Sequence, residues 1–169
     1  YFPNNFKNEP PLCCVVYLHG NAGTQVEGRF MVKYLAPKGI ASFCFDFSGS
    51  GESGGDLVTL GLNEKQDVID ACKFLRKSFD IDKYILWGRS MGAATTFLAA
   101  GKIDGLLGFI ADSPYQSTTA LFKDMAGKVK VPSFIQGPAL WYIKNKVNEK
   151  LEGNNILDVS PEQEASKLT

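Results

Sequence analysis

The segment Tyr84-Ile85-Leu86-Trp87-Gly88-Arg89-Ser90-Met91-Gly92-Ala93-Ala94 and its continuation to Ala100-Gly101 decide the fold. Tyr84 to Trp87 is a short, unbroken apolar run, the mark of a strand covered on both faces. Met91 to Ala100 is a run of small and apolar residues that suits a helix, and Gly101 ends it. Between them Gly88-Arg89-Ser90-Met91-Gly92 fits G-x-S-x-G, the tight strand-to-helix turn that presents a nucleophilic serine. Such a turn holds its serine in strained backbone geometry, with the hydroxyl projecting from the sheet edge. Glycine is expected at 88 and 92 because a side chain there would strike the neighbouring strand or helix. Ala93 and Ala94 let the helix sit close to the sheet.

The same alternation extends outward. Leu12 to Leu18, Ile40 to Phe47 and Leu106 to Ala111 read as three further strands. Helical spacing lies between them. Phe30, Tyr34 and Leu35 form one apolar stripe, stopped by Pro37-Lys38-Gly39. From Asn63 onward, Val68, Ala71, Cys72 and Leu75 share a face, while Glu64, Asp67, Asp70 and Lys73 point away. Strand-helix alternation of this kind predicts an α/β fold: a doubly wound, mostly parallel sheet with helices on both faces and right-handed crossovers. After Ser113-Pro114 the pattern changes to two helices, Ser117 to Lys130 and Gln136 to Lys150. Residues 115–155 are thus expected to be packing helices or a lid over an acyl pocket.

A second glycine loop competes for function. Gly49-Ser50-Gly51-Glu52-Ser53-Gly54 has the G-x-G-x-x-G spacing of a dinucleotide cradle. That cradle needs a helix beginning inside the motif. Here Gly55-Asp56-Leu57-Val58-Thr59 follows, and helical spacing starts only near Leu60 or later. The acidic residue expected after a second strand is missing as well. The match fails its context, and no nucleotide or other cofactor is expected.

His19-Gly20-Asn21-Ala22-Gly23 follows the first strand. A tight loop there can offer the Asn21 amide as an oxyanion donor. The Met91 amide, at a helix N-terminus, is the natural second one. With H-G-N-A-G, D-F-S-G-S-G-E-S-G-G and G-R-S-M-G-A in this order, and Asp112-Ser113-Pro114-Tyr115 after the fourth strand, the chain resembles the α/β-hydrolase superfamily. The serine aminopeptidase-like branch, with its depalmitoylase-like members, is the nearest. The resemblance covers the chain from about Leu12 onward. It implies Ser90 as nucleophile, with the Met91 and Asn21 amides as oxyanion hole. It also turns Asp46 to Gly51 into a structural turn beside the active site. Many relatives carry D-x-R-G-x-G there; Ser48 stands in place of the arginine, so no role of that arginine carries over.

An activated serine needs a base, usually a histidine oriented by a carboxylate. The chain has one histidine, His19, and the resemblance assigns it to support of the oxyanion loop. Asp112, which ends the strand after the elbow, is the best acid present, and its place before Ser113-Pro114 is read as a turn cap. Asp158 is weaker. Arg89 is expected in a surface ion pair. In the superfamily the acid and base follow two further strands, so the acid and base are expected beyond Thr169. The chain starts at Tyr1 without methionine. It ends just after Ser160-Pro161-Glu162-Gln163, a helix start. Both observations lead us to expect a core truncated at both ends, with an exposed apolar sheet edge.

Bulk properties narrow the partners. The 169 residues suit one domain. Lys+Arg and Asp+Glu are 18 each, so no basic bias suggests nucleic acid. No apolar run approaches the roughly 20 residues of a membrane helix; peripheral membrane association stays open, as does the oligomeric state. The four cysteines lack C-x-x-C spacing and fall in strand or helix patterns, which predicts buried thiols in a reduced, cytoplasmic setting and no metal site. The expected partner is a small-molecule or acylated substrate. The expected activity is serine hydrolysis of a carboxylic ester, thioester or amide, with a catalytically silent binding or assembly module as the alternative.

Overall fold

The structure, a computed structural model, describes residues 1–3, 11–128, 155–168 and isolated positions between 137 and 151. Four strands, β1 (Cys14–Leu18), β2 (Ala41–Cys44), β3 (Tyr84–Arg89) and β4 (Leu106–Asp112), form one sheet in the order β2-β1-β3-β4. All three pairings are parallel. β1 is buried at every residue, as its unbroken apolar run requires.

Alternate residues of β1 feed two cores. Cys14, Val16 and Leu18 face a cluster with Val68, Cys72 and Leu75 of α2 (Glu64–Phe79) and Met91 and Ala99 of α3 (Met91–Ala100). Val15 and Tyr17 face the other way, against Met31 and Leu35. Helical segments therefore cover both faces, and the α/β expectation holds. Small residues let α3 lie flat on the sheet: Ala93, Ala94, Thr95 and Thr96 are all fully buried. The later helix α4 (Thr118–Lys128) also matches its predicted place. Most of the expected helix Gln136 to Lys150 lies outside the described residues, as does part of the 115–155 segment.

Three local expectations need correction. The segment after β1 is mainly 3-10 helix, Gln25–Met31 and Ala36–Lys38, flanking a single α-turn, α1 (Val32–Leu35). The 3-10 run turns Gly28 and Met31 inward, while Tyr34, in the α-turn that follows, is exposed. Second, β2 stops at Cys44 rather than Phe47. Beyond it the Phe47 amide turns to His19 and the Asp46 carboxylate gathers loop amides, so the backbone leaves the ladder. Third, Glu64 does not face solvent; it is 1% exposed.

The order β2-β1-β3-β4 places the site. The chain runs from β1 outward to β2, then returns to lay β3 on the other side of β1. The carboxyl ends of β1 and β3 are thus adjacent at the point where the strand order reverses, where open α/β sheets form their functional crevice. Leu18 pairs with Gly88, so the loops after both strands open side by side.

Candidate active site

Ser90 sits between β3 and α3 with φ 53° and ψ −113°, a conformation that non-glycine residues adopt at a cost. Its side chain is exposed, and its amide donates to the Asp112 carbonyl at 2.8 Å. A Cβ on Gly88 would land on the Gly92 carbonyl, and one on Gly92 would land on the Leu18 carbonyl. Both glycines are thus required by backbone approach. The Met91 amide is at the first position of α3, among the helix donors without an intrahelical partner.

The loop after β1 lies against this turn. A Cβ on Gly20 would be 3.6 Å from Ser90 Cβ. The Gly23 amide bonds the Gly20 carbonyl at 2.9 Å, closing a β-turn with the exposed Asn21 as its first central residue. That closure leaves the Asn21 amide outside the turn's own bond.

His19 is fully buried. Its Nε2 accepts the Phe47 amide at 3.0 Å, so in the neutral ring the proton is on Nδ1, which donates to the Gly20 carbonyl at 2.7 Å. Both nitrogens are occupied in holding the loop. Arg89 pairs with Glu27 at 3.7 Å, and the Tyr17 hydroxyl donates to the same carboxylate at 3.4 Å. Burial, with the Glu27 charge beside it, pushes the Tyr17 phenol up to about 12. The Asp112 carboxylate is exposed and takes the Ser113 hydroxyl at 2.8 Å. Asp158 takes the Asn155 side-chain amide at 2.7 Å within a 3-10 turn.

The Ser48 to Gly55 loop turns its donors inward. The Glu52 amide goes to the Asp46 carboxylate, the Gly49 amide to the Gly54 carbonyl, the Ser50 amide to Phe47, and the Ser53 amide to Ser50. A Cβ on Gly51 would strike the Asp46 carboxylate. Those four amides are committed within the loop rather than presented to a phosphate. Asp46 also accepts the Gln25 amide at 2.6 Å and its side-chain amide at 3.1 Å. Burial alone would raise the Asp46 carboxyl, but the bonds from Gln25 and Glu52 outweigh it and hold the group below the usual carboxylate range. Ser48 donates its amide and its hydroxyl to Asp67 of α2, each at 2.9 Å.

One cluster near the site escaped the sequence reading. The buried Glu64 carboxylate accepts the Thr59 amide at 2.6 Å, the Thr59 hydroxyl at 2.7 Å and the Gly61 amide at 2.7 Å. The Tyr115 hydroxyl donates to the Leu60 carbonyl. A threonine ahead of an acid in the first helical turn is the local signal, because such an acid can fold back onto the amides before it.

The parallel sheet, the strained serine between β3 and α3, and the turn beside it define an α/β-hydrolase-type core. A family model described as alpha/beta hydrolase fold matches residues 14–141, and the chain belongs to that family. Among curated proteins it is similar to the uncharacterized protein YfhR of Salmonella typhi, 26% identical over 140 residues, covering 74% of this chain and 47% of the relative. YfhR of Escherichia coli K12 is 28% identical over 118 residues, covering 68% and 41%. The chain thus spans about half the length of the curated relatives it matches. Among solved structures, esterase Pf2001 of Pyrococcus furiosus superposes with a TM-score of 0.64 at 23% identity, over 80% of this chain and 54% of that one. Est1E of Butyrivibrio proteoclasticus, solved with ferulic acid, gives 0.58 at 23% identity, over 75% and 50%. At those identities the likeness speaks for the fold. Among the described residues no helix is long and apolar enough to cross a membrane.

Proposed function

We propose that the chain carries the nucleophilic centre of a serine hydrolase acting on a carboxylic ester, thioester or amide. The observation that carries this reading is the exposed, strained Ser90 at the carboxyl end of β3, with Gly20 and the Asn21 turn packed alongside. The Ser90 hydroxyl gives its proton to a base while its Oγ bonds the substrate carbonyl carbon. The Met91 and Asn21 amides receive the oxyanion. Each such donor contributes on the order of 3 kcal/mol in the transition state. Collapse breaks the bond to the leaving group, which takes up the proton, and leaves an acyl-enzyme on Ser90. Water then releases the acid and restores the serine.

The base is not His19, whose two nitrogens are engaged and buried. The similar solved structures described as esterases favour a carboxylic ester as substrate. The motif resemblance to the serine aminopeptidase-like and depalmitoylase-like branch keeps amide and thioester in view. Free thiols at all four cysteines fit a reducing, cytoplasmic setting.

A second reading, a catalytically silent module for binding or assembly, draws its support from the engagement of the chain's one histidine. A fluorophosphonate probe on the full-length protein separates the two. Labelling that disappears in Ser90→Ala is the result expected of the hydrolase. Absence of labelling in the wild type favours the silent module, and labelling that persists in Ser90→Ala overturns Ser90 as nucleophile.

A further inference from the structure

Among the described residues, four non-glycine residues have positive φ: Leu60, Asp80, Ser90 and Ser113. Asp80 caps the end of α2, an ordinary place for that conformation. The other three fall on one connected path. Ser90 donates its amide to the Asp112 carbonyl, and the strained Ser113 follows at once. Two residues on, Tyr115 donates its hydroxyl to the carbonyl of the strained Leu60. Leu60 lies between Thr59 and Gly61, whose amides both end on Glu64. Backbone strain persists only where surrounding contacts over-determine it, and it gathers at functional sites.

The path is buried where it begins. Glu64 and Thr59 are each 1% exposed, and the Thr59 hydroxyl also accepts the Asn63 amide at 2.8 Å. A Cβ on Gly61 would stand 2.6 Å from the Leu98 side chain and 3.4 Å from Thr95 Oγ1, so the turn is seated on α3, the helix that starts at the elbow. Burial, with the Glu64 charge behind it, raises the Tyr115 phenol and keeps its hydroxyl a donor.

We propose that Glu64 is a positioning residue for the Ser90 elbow: its buried carboxylate sets the Thr59–Gly61 turn, the Leu60 carbonyl takes the Tyr115 hydroxyl, and the Asp112–Ser113 loop that receives the Ser90 amide is thereby fixed. This rests on Ser90 as nucleophile. Removal of the Tyr115 hydroxyl keeps the ring packed and frees the loop; replacement of the Glu64 carboxylate by an amide sets an NH2 against amide and hydroxyl donors. Both act on the angle of attack rather than on substrate binding.

The test uses full-length wild type, Tyr115→Phe, Glu64→Gln, the double variant and Ser90→Ala. The readouts are the fluorophosphonate inactivation rate and kcat and KM for p-nitrophenyl butyrate, per titratable serine. Tyr115→Phe and Glu64→Gln are each expected to lower kcat and the inactivation rate about tenfold, with KM changed less than about twofold. The double variant is expected to be no slower than the slower single variant, because both cut the same path. A merely structural role lowers the folded fraction but leaves the rate per titratable serine at the wild-type value, and that result overturns the proposal. So do additive losses in the double variant. Where Glu64→Gln does not fold, Tyr115→Phe alone decides. Labelling that survives Ser90→Ala, or is absent from the wild type, overturns the nucleophile and the proposal together. Labelling that Ser90→Ala abolishes and Tyr115→Phe leaves at full rate overturns the proposal alone.

Discussion

The backbone amide of Phe47 donates to Nε2 of His19 at 3.0 Å, which ties the segment after β2 to the loop beside Ser90. An aromatic contact adds to the bond, the two rings lying 4.8 Å apart. His19→Ala would leave the Phe47 amide without its partner, remove one of the two donors to the Gly20 carbonyl and open a cavity. The expected loss is about 3 kcal/mol of stability, measured by urea unfolding. A catalytic base gives another pattern: lost turnover with unchanged stability. Diethyl pyrocarbonate followed by peptide mapping provides a second check, with His19 expected to stay unmodified until the protein unfolds.

Ser90 pays for its exposure in backbone strain. At φ 53° and ψ −113° a glycine is at ease where a serine is not. Ser90→Gly should abolish fluorophosphonate labelling and stabilise the fold by roughly 1 kcal/mol, after the greater freedom of glycine in the unfolded chain is discounted. A lower melting temperature for Ser90→Gly would show that the serine side chain supports the turn instead of straining it.

The elbow was legible because its signal is local. An apolar strand run, two glycines and a small-residue helix follow one another within 84–101, and each needs only its neighbours. Cross-chain geometry is different. The apolar spacing of α2 placed Val68, Cys72 and Leu75 inward correctly, yet set Glu64 outside, because a helical period cannot register a first-turn side chain that folds back onto preceding amides. The apolar spacing likewise set Tyr34 inward, whereas the short α-turn Val32–Leu35 leaves it exposed. Nor does the sequence reveal that Asp112 serves Ser90 through its backbone carbonyl while its carboxylate faces solvent.

Asp46 gives the fold an acid-sensitive joint between the Gln25 segment and the glycine loop. Its folded carboxyl lies below the ordinary aspartate range, so the unfolded chain takes up the proton first as pH falls. The stabilisation is complete above the ordinary value of about 4 and is lost as pH drops through the folded one. Asp46→Asn should cost about 2 kcal/mol at pH 7 and flatten this acid limb. The check is a series of urea midpoints from pH 7 down to the onset of acid unfolding. An unchanged slope in Asp46→Asn would assign the acid sensitivity to other carboxylates.

The thiols should report on the same core. Cys14 and Cys72 are 1% and 5% exposed, and burial pushes each up to about 12. Alkylation proceeds through the thiolate, so near pH 8 both groups lack the reactive form as well as access. Iodoacetamide is expected to modify neither in the native protein and both once urea unfolds it, with intact mass and peptide mapping as the readout. Protection should fall together at the two positions, because Cys14 on β1 and Cys72 on α2 belong to one packed cluster. Native-state alkylation of Cys72 alone would mean that α2 opens away from the sheet, and the Thr59–Glu64 turn at its start would then be free to move with it.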